Sequence, residues 1–443
     1  MNKILTILVI IMLNSGFSFA SENEGYALVL SGGGGRGAYE IGVWKSMKDL
    51  GIKVDAVYGT SVGAINGLAV ASNKYEMARN IWIKTNYDNI MKISPELKSL
   101  ISGSYKNITI SSLSKGLSEL FKGIDVKPLK NALTSVIEEK EIRESNVDYG
   151  LVAYSISNFV PWMMYIEDIP EGQLIDYVLA SANFPVFKRE IISGETFVDG
   201  GVYSNMPIEM AINRGYKKIV AVDIGTYGIG DLLSFINREV DSKAEIKYIK
   251  PVVHYGNLLT FDIEVSKKYI KAGYLDGLKS FGLLAGDRYY IYNTEDIIKE
   301  LFYSLSENDQ KQCLELLGIE NNDISDLPVE YIYYSMVLPR LEGIAGTNLK
   351  NPKETCSSIL ELMLEFYNME RLYPYNPLSI LDKINELSKE SPEKTQVKAF
   401  FDNIQYGDLV DFVLFLLDKN EIPTKEYSEN YNELVKNFKQ LTN

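Results

Sequence analysis

The amino-acid sequence predicts an α/β protein, a three-layer αβα arrangement around a mainly parallel central sheet, followed by a mostly helical C-terminal region. Three observations carry that prediction. From Tyr26 onward, short apolar runs rich in β-branched residues alternate with helix-like stretches, which is how a parallel sheet flanked by helices reads. Two glycine clusters, at 31–37 and 59–63, fall where such runs end, the place at which open α/β sheets hold ligands. Beyond about residue 280 glycine thins out, and helical blocks broken by Pro339, Pro374 and Pro377 take over. With 443 residues the chain has room for a large α/β domain, expected over 25–280 with its core at 26–225, and a second unit over 281–443.

Residues 1–20 read as a cleavable secretory signal. Lys3 supplies the positive end, the run 4–13 is apolar apart from Thr6, and Ser18-Phe19-Ala20 offers small residues for cleavage near Ala20. Ten apolar residues are too few to span a bilayer. The mature protein is therefore expected to be soluble, in the periplasm or outside the cell. Strands are expected at 26–31 and 54–58, and helices at 37–50 and 62–73. From 86 to 123 the pattern loosens, then gains an amphipathic piece bearing Leu113, Leu117, Leu120 and Phe121. That stretch reads as a peripheral helix pair, or alternatively as a cap over the site. Two strands joined by a turn follow at 148–155 and 161–166, then a helix at 173–183 and a strand closing at Asp199. The run 218–224 is a further strand, in which Asp223 reads as a strand-end turn. The helical blocks of the second unit are expected at 296–305, 310–317, 357–369 and 378–387. The tyrosine-rich 331–338 run is expected to be buried in a helical bundle.

Gly59-Thr60-Ser61-Val62-Gly63 sits where a strand becomes a helix. A serine on so sharp a turn needs glycine two residues to either side, because a Cβ there would meet the neighbouring element. About one βα unit upstream, Ser31-Gly32-Gly33-Gly34-Gly35-Arg36-Gly37 offers bare backbone N–H groups to an anion, including the oxyanion of a tetrahedral intermediate. The competing reading is a dinucleotide fingerprint built on Gly32, Gly34 and Gly37, with Asp55 as its acidic residue. A third cluster, Thr196-Phe197-Val198-Asp199-Gly200-Gly201, closes a strand with a carboxylate. It reads either as a turn or as a base within reach of the serine.

Composition narrows the base. The chain holds one histidine, His254, so a Ser-His-Asp triad must use it or not exist. The order serine, acid, histidine permits that triad. No acidic partner marks His254 out, and a direct Ser61–Asp199 pair is simpler. A formal charge of −14 argues against nucleic acid and against electrostatic capture by anionic lipid. Any membrane contact must then be apolar and transient. Cys313 and Cys356 are too few for a disulfide framework and are spaced unlike a zinc site.

Together these clusters resemble the patatin-like phospholipase family. The segment Leu28-Val29-Leu30-Ser31 through Gly37-Ala38-Tyr39 is similar to the family's oxyanion loop, Gly59–Gly63 to its nucleophile elbow, and Asp199-Gly200-Gly201 to its base motif. Two more stretches are similar to those flanking the base strand: Leu179-Ala180-Ser181-Ala182-Asn183-Phe184-Pro185-Val186-Phe187 before it, and Val202-Tyr203-Ser204-Asn205-Met206-Pro207 after it. The similarity covers about 25–225 and weakens towards 280. It implies a serine hydrolase of lipid acyl esters, phospholipids among them, using no metal or organic cofactor, and the signal pattern at 1–20 would make it a secreted one. Ser61 would be the nucleophile and Asp199 the general base. Gly33, Gly34 and Gly35 would donate to the oxyanion, within motifs completed by Gly32, Arg36, Gly37, Gly59, Gly63, Gly200 and Gly201. Arg36 reads as a contact for substrate phosphate or as half of a salt bridge. An acyltransferase using the same site and a non-catalytic lipid-binding protein are the other readings.

Overall fold

The computed structural model describes residues 25–101, 110–188, 190–192, 194–225, 244–292, 296–320, 324–346, 352–390, 404–420 and 429–442. The candidate signal at 1–20 lies outside them. The chain divides into two compact units, one comprising residues up to 251 with 256–266, the other 252–255 with 267–443.

The first unit is built on β1 (Tyr26–Leu30), β2 (Val54–Thr60), β3 (Asp148–Ser155), β4 (Val160–Tyr165), β5 (Glu190–Ile192), β6 (Glu195–Asp199), β7 (Lys218–Val222) and β8 (Glu245–Ile249). They form one sheet in the order β5-β6-β3-β2-β1-β7-β8, with β4 paired to β3. Every pairing from β3 through β8 along that order is parallel, whereas β4, β5 and β6 pair antiparallel. The helices that position the site are α1 (Ala38–Asp49), α2 (Val62–Ala71), α3 (Tyr75–Trp82), α4 (Tyr87–Ile90), α5 (Pro95–Ile101), α6 (Ile110–Lys122), α7 (Lys127–Val136), α8 (Glu139–Arg143), α9 (Leu174–Ser181) and α10 (Ile208–Asn213).

Both sheet faces are covered, which is why the central strands read as unbroken apolar runs. On one face Ala27, Val29, Ala56, Tyr58 and Ala221 pack with Met210 and Ala211 of α10. On the other, Gly67 of α2 brings that helix against Val57 and Tyr149. The expected α/β architecture is thus the observed one.

Strand register decides what meets at the site. β3 pairs along one edge with β4 over Gly150–Ser155, so β2 and β6 must both use its other edge. β2 occupies that edge up to Thr60 opposite Val152, and β6 takes over from Asp199 opposite Ala153. Since β2 runs parallel and β6 antiparallel to β3, their carboxyl ends converge at the junction.

In the second unit, helices including Ile297–Tyr303, Pro352–Phe366 and Ile404–Lys419 enclose a core containing Phe302, Tyr333, Ile359 and Phe412. Cys313 and Cys356 are free buried thiols within it. The sequence reading has no counterpart for a three-stranded sheet of Leu284–Ala285, Tyr290–Tyr292 and Pro374–Tyr375, whose pieces are too short to carry a periodicity. The 331–338 run is buried on one side only. Ile332, Tyr333, Val337 and Leu338 are enclosed, and Tyr331 and Tyr334 are exposed around a wide π-helical turn.

Gly63 gives a test of the packing. It lies inside α2, where alanine is intrinsically favoured over glycine by about 1 kcal/mol. A Cβ there would sit 2.7 Å from the Leu30 carbonyl carbon and nearer still to its oxygen. Gly63→Ala is expected to lose at least ~2 kcal/mol in urea denaturation. An unchanged or raised midpoint would contradict the close approach of α2 to β1.

Candidate active site

Ser61 is the hinge between β2 and α2. Its backbone lies at φ 57° and ψ −123°, a strained conformation for a residue with a side chain, of order 1–3 kcal/mol. Local bonds hold it there. The Ser61 N–H donates to Ser181 Oγ at 2.9 Å, and that hydroxyl donates to the Val152 carbonyl at 2.6 Å. Gly59 admits the return of the chain, since a Cβ on it would collide with Gly63 and Ala64. Ser61 occupies the N-cap of α2 without capping it. Its hydroxyl lies beside the Asp199 carboxylate instead and holds that group's pKa down, with the positive end of α2 next to it.

Asp199 is placed by backbone bonds. Its N–H donates to the Asn183 carbonyl at 2.8 Å, and its Oδ1 accepts the Gly201 N–H at 2.8 Å. Gly200 carries the turn directly over the Val152 carbonyl. Burial raises the carboxyl to about 6, from an ordinary 3.8, against the opposing pull of the Ser61 hydroxyl and the Gly201 N–H.

The glycine loop follows β1. Gly32 is clamped to Asn205, giving its N–H to the Asn205 carbonyl and accepting from Asn205 Nδ2, both at 3.1 Å. Gly33 and Gly34 line the cavity beside Ser61, and their N–H groups make no hydrogen bond within the described residues. Gly34 has φ 54°, the left-handed turn that aims this backbone. The expectation for Gly35 needs correcting. Its N–H donates to the Leu258 carbonyl at 2.8 Å and is committed to the scaffold.

Both readings of Arg36 also give way to a third. Its Nη1 donates to the carbonyls of Ile224 at 3.1 Å and Gly225 at 3.3 Å, and its Nε to that of Gly256 at 3.3 Å. Among the described residues it has no carboxylate partner, so the guanidinium ties the loop to the chain after β7. Asp55 lies at the amino end of β2, where it accepts the Gly25 N–H. That is the end of the sheet opposite the glycine loop, which removes the acidic residue of a dinucleotide site. Asp223 accepts the Gly225 N–H as a strand-end turn, and His254 belongs to the other compact unit.

Behind the loop, Asn66 of α2 donates from Nδ2 to the Gly37 carbonyl at 2.9 Å and to Glu40 Oε2 at 2.8 Å, and accepts from Trp82 Nε1 at 3.0 Å. Burial pushes the Glu40 carboxyl well above the usual carboxylate range. In front, a cavity of about 340 Å³ opens onto Ser61, Asp199 and Asn205, and is otherwise almost wholly apolar. Asn89 and Ile90, from the expected cap at 86–123, line it, whereas the side chains of Leu113, Leu117, Leu120 and Phe121 lie outside the described ones.

Ser181 and Asn205 have roles that the sequence does not announce, although each lies in a stretch flanking Asp199. Leu258 and its neighbours carry no motif at all.

Residues 28–212 match the family model described as patatin-like phospholipase. The match spans less than half of the chain, and the stretch resembles a patatin-like phospholipase domain. It is similar to patatin-like phospholipase domain-containing protein 7 of Rattus norvegicus, 25% identical over 212 residues, which are 47% of this chain and 14% of that one. Protein 6 of the same description, from Homo sapiens, is 28% identical over 220 residues, 47% of this chain and 14% of that one. A probable lipid hydrolase, 463L of Invertebrate iridescent virus 6, is 28% identical over 210 residues, 46% of this chain and 69% of that one. The chain thus covers a small fraction of the first two relatives. VipD from Legionella pneumophila is 14% identical across 91% of this chain and 94% of its own, with a TM-score of 0.34, too loose an overlap to bear on the site.

The raised Asp199 carboxyl makes stability depend on pH in a definite direction. Asp199 favours the fold fully below about pH 3.8, where both folded and unfolded forms are protonated, and that contribution is lost as pH rises through about 6. Asp199→Asn is therefore expected to stabilise the protein at pH 7.5 by as much as ~3 kcal/mol, and by nothing at pH 3.5. Chemical denaturation at the two values measures it, and a destabilised variant at pH 7.5 would refute the buried, desolvated carboxylate.

Proposed function

We propose that the protein is a secreted serine lipid acyl hydrolase acting through a Ser61–Asp199 dyad and an acyl-enzyme. The observation that carries this reading is the placing of the Ser61 hydroxyl beside a buried Asp199, on the wall of one apolar cavity and next to two uncommitted N–H groups. Ser61 Oγ attacks the ester carbonyl as Asp199 takes its proton. A carboxyl near 6 is a better match for that transfer than an ordinary aspartate, because proton acceptors work best near the working pH. The N–H groups of Gly33 and Gly34 receive the oxyanion, each such donor being worth about a hundredfold or more. The leaving alcohol takes the proton from Asp199. Water then attacks the acyl-enzyme with Asp199 again as base, releasing the acid and restoring Ser61.

Supporting an acyl-ester lipid as substrate are the apolar cavity and the family match. Supporting secretion is the pattern over 1–20, and N-terminal sequencing of exported protein should begin near Ser21.

A fluorophosphonate probe is expected to label Ser61 and no other residue. Ser61→Ala and Asp199→Asn should each lower kcat on lipid esters by about 10³-fold or more. Labelling elsewhere, or turnover surviving in Ser61→Ala, would refute the assignment. As Asp199 must be ionised to act, kcat/KM should fall tenfold per pH unit below about 6 and be flat above. An acid limb near 4 would contradict the environment described for Asp199.

A further inference from the structure

The cavity beside Ser61 has a direction. On α2 the residues facing it are Val62, Ile65, Asn66 and Ala69, one stripe of a helix face. At a rise of about 1.5 Å per residue, the stripe starts beside Ser61 and ends roughly 10 Å further along. α3 returns antiparallel to α2: Lys74 at its start donates its N–H to the Ala69 carbonyl at 2.9 Å, and Trp82 at its carboxyl end donates to Asn66, about a turn nearer Ser61. Met77, more than a turn earlier on α3, therefore falls with Ala69 at the end remote from Ser61. A third wall comes from α7, whose Leu129, Leu133 and Val136 repeat the helical spacing.

Apart from the Nδ2 of the exposed Asn89, the polar side chains of the three helical walls and their connection are already engaged. Asn66 is saturated by Gly37, Glu40 and Trp82, the Thr85 hydroxyl donates to the Ile81 carbonyl at 2.7 Å, and Asn89 Oδ1 accepts the Asn86 N–H at 3.1 Å. The volume, about 340 Å³, is that of one chain-shaped guest: an engineered apolar void of about 150 Å³ in another protein accepts benzene.

We propose that the cavity is a channel for a single acyl chain laid along α2, and that the side chain at position 69, with Met77 at the same end, sets the length of chain that fits. This rests on the acyl-hydrolase reading for which end of the chain meets Ser61. From Ser61 to Ala69 is eight residues, about 12 Å of helix axis. An extended chain covers ~3.5 Å per three bonds, so about ten carbons run alongside α2 before reaching the methyl of Ala69.

The test has a binding arm and a turnover arm. Displacement of a fluorescent fatty acid from Ser61→Ala protein by saturated acids of increasing length is expected to show affinity rising about fourfold per methylene, levelling near ten carbons. Adding Ala69→Phe should bring that plateau several carbons earlier, and Met77→Trp, from the other helix, should do the same if the first variant folds poorly. In turnover, the decanoate-to-butyrate ratio of kcat/KM for p-nitrophenyl esters should fall at least tenfold in both single variants. A plateau and a ratio unmoved by either substitution would overturn the channel, as would absence of fatty-acid binding. Wild-type protein that binds the series as expected but hydrolyses no ester would leave the channel standing and sink the hydrolase reading. Hydrolysis with an unaltered chain-length profile would do the reverse.

Discussion

The site depends on the way one edge of β3 is shared. β2 follows that edge until Thr60 and β6 resumes it at Asp199, one residue further along β3 and running the other way. Two strands that end head to head on a common edge must aim their exit residues at each other, and those residues are Ser61 and Asp199. Most of what fixes the pair gathers at the same spot: the Val152 carbonyl takes the Ser181 hydroxyl that holds Ser61, and Gly200 passes over it to leave Asp199 facing inward. The approach of two groups so far apart in sequence is thus a matter of hydrogen-bond register, with side-chain packing secondary.

Each partner occupies a state it would avoid alone. Ser61 carries a backbone conformation disfavoured for any residue with a Cβ, and Asp199 a carboxylate removed from water. The surrounding bonds are nearly all to backbone atoms, which neither titrate nor change rotamer. The Glu40, Asn66 and Trp82 contacts extend this arrangement rearwards by joining α1, α2 and α3 to the last glycine of the loop. Rigidity of this kind suits a site whose donors must be in position before charge develops.

Sequence made the central residues legible because crowding leaves a mark. Gly59 and Gly63 are forced by the contacts around the turn, and four glycines in succession have no use in a core, so Ser61 and the loop stood out. Asp199 was legible as the carboxylate before two more glycines. What could not be read were partners that leave no mark. Gly35 and Arg36 are both engaged by carbonyl oxygens, which every residue possesses, so no composition or spacing distinguishes Leu258, Ile224 or Gly256. Ser181 and Asn205 are ordinary residue types whose value lies in where α9 and the turn after β6 place them. The walls of the cavity carry no mark of their own either, because a helical stripe that faces a void has the same period as one that faces a core.

The binding of Gly35 to Leu258 has an implication for what counts as one domain. The family match stops at residue 212, yet the loop's geometry is completed by chain some fifty residues beyond, where Leu258, Leu259 and Phe261 also border the cavity. Heredity, as read from sequence, and mechanical completeness therefore have different limits in this molecule. A fragment cut where that match ends would keep its whole signature and lose a wall of the chamber that the signature serves.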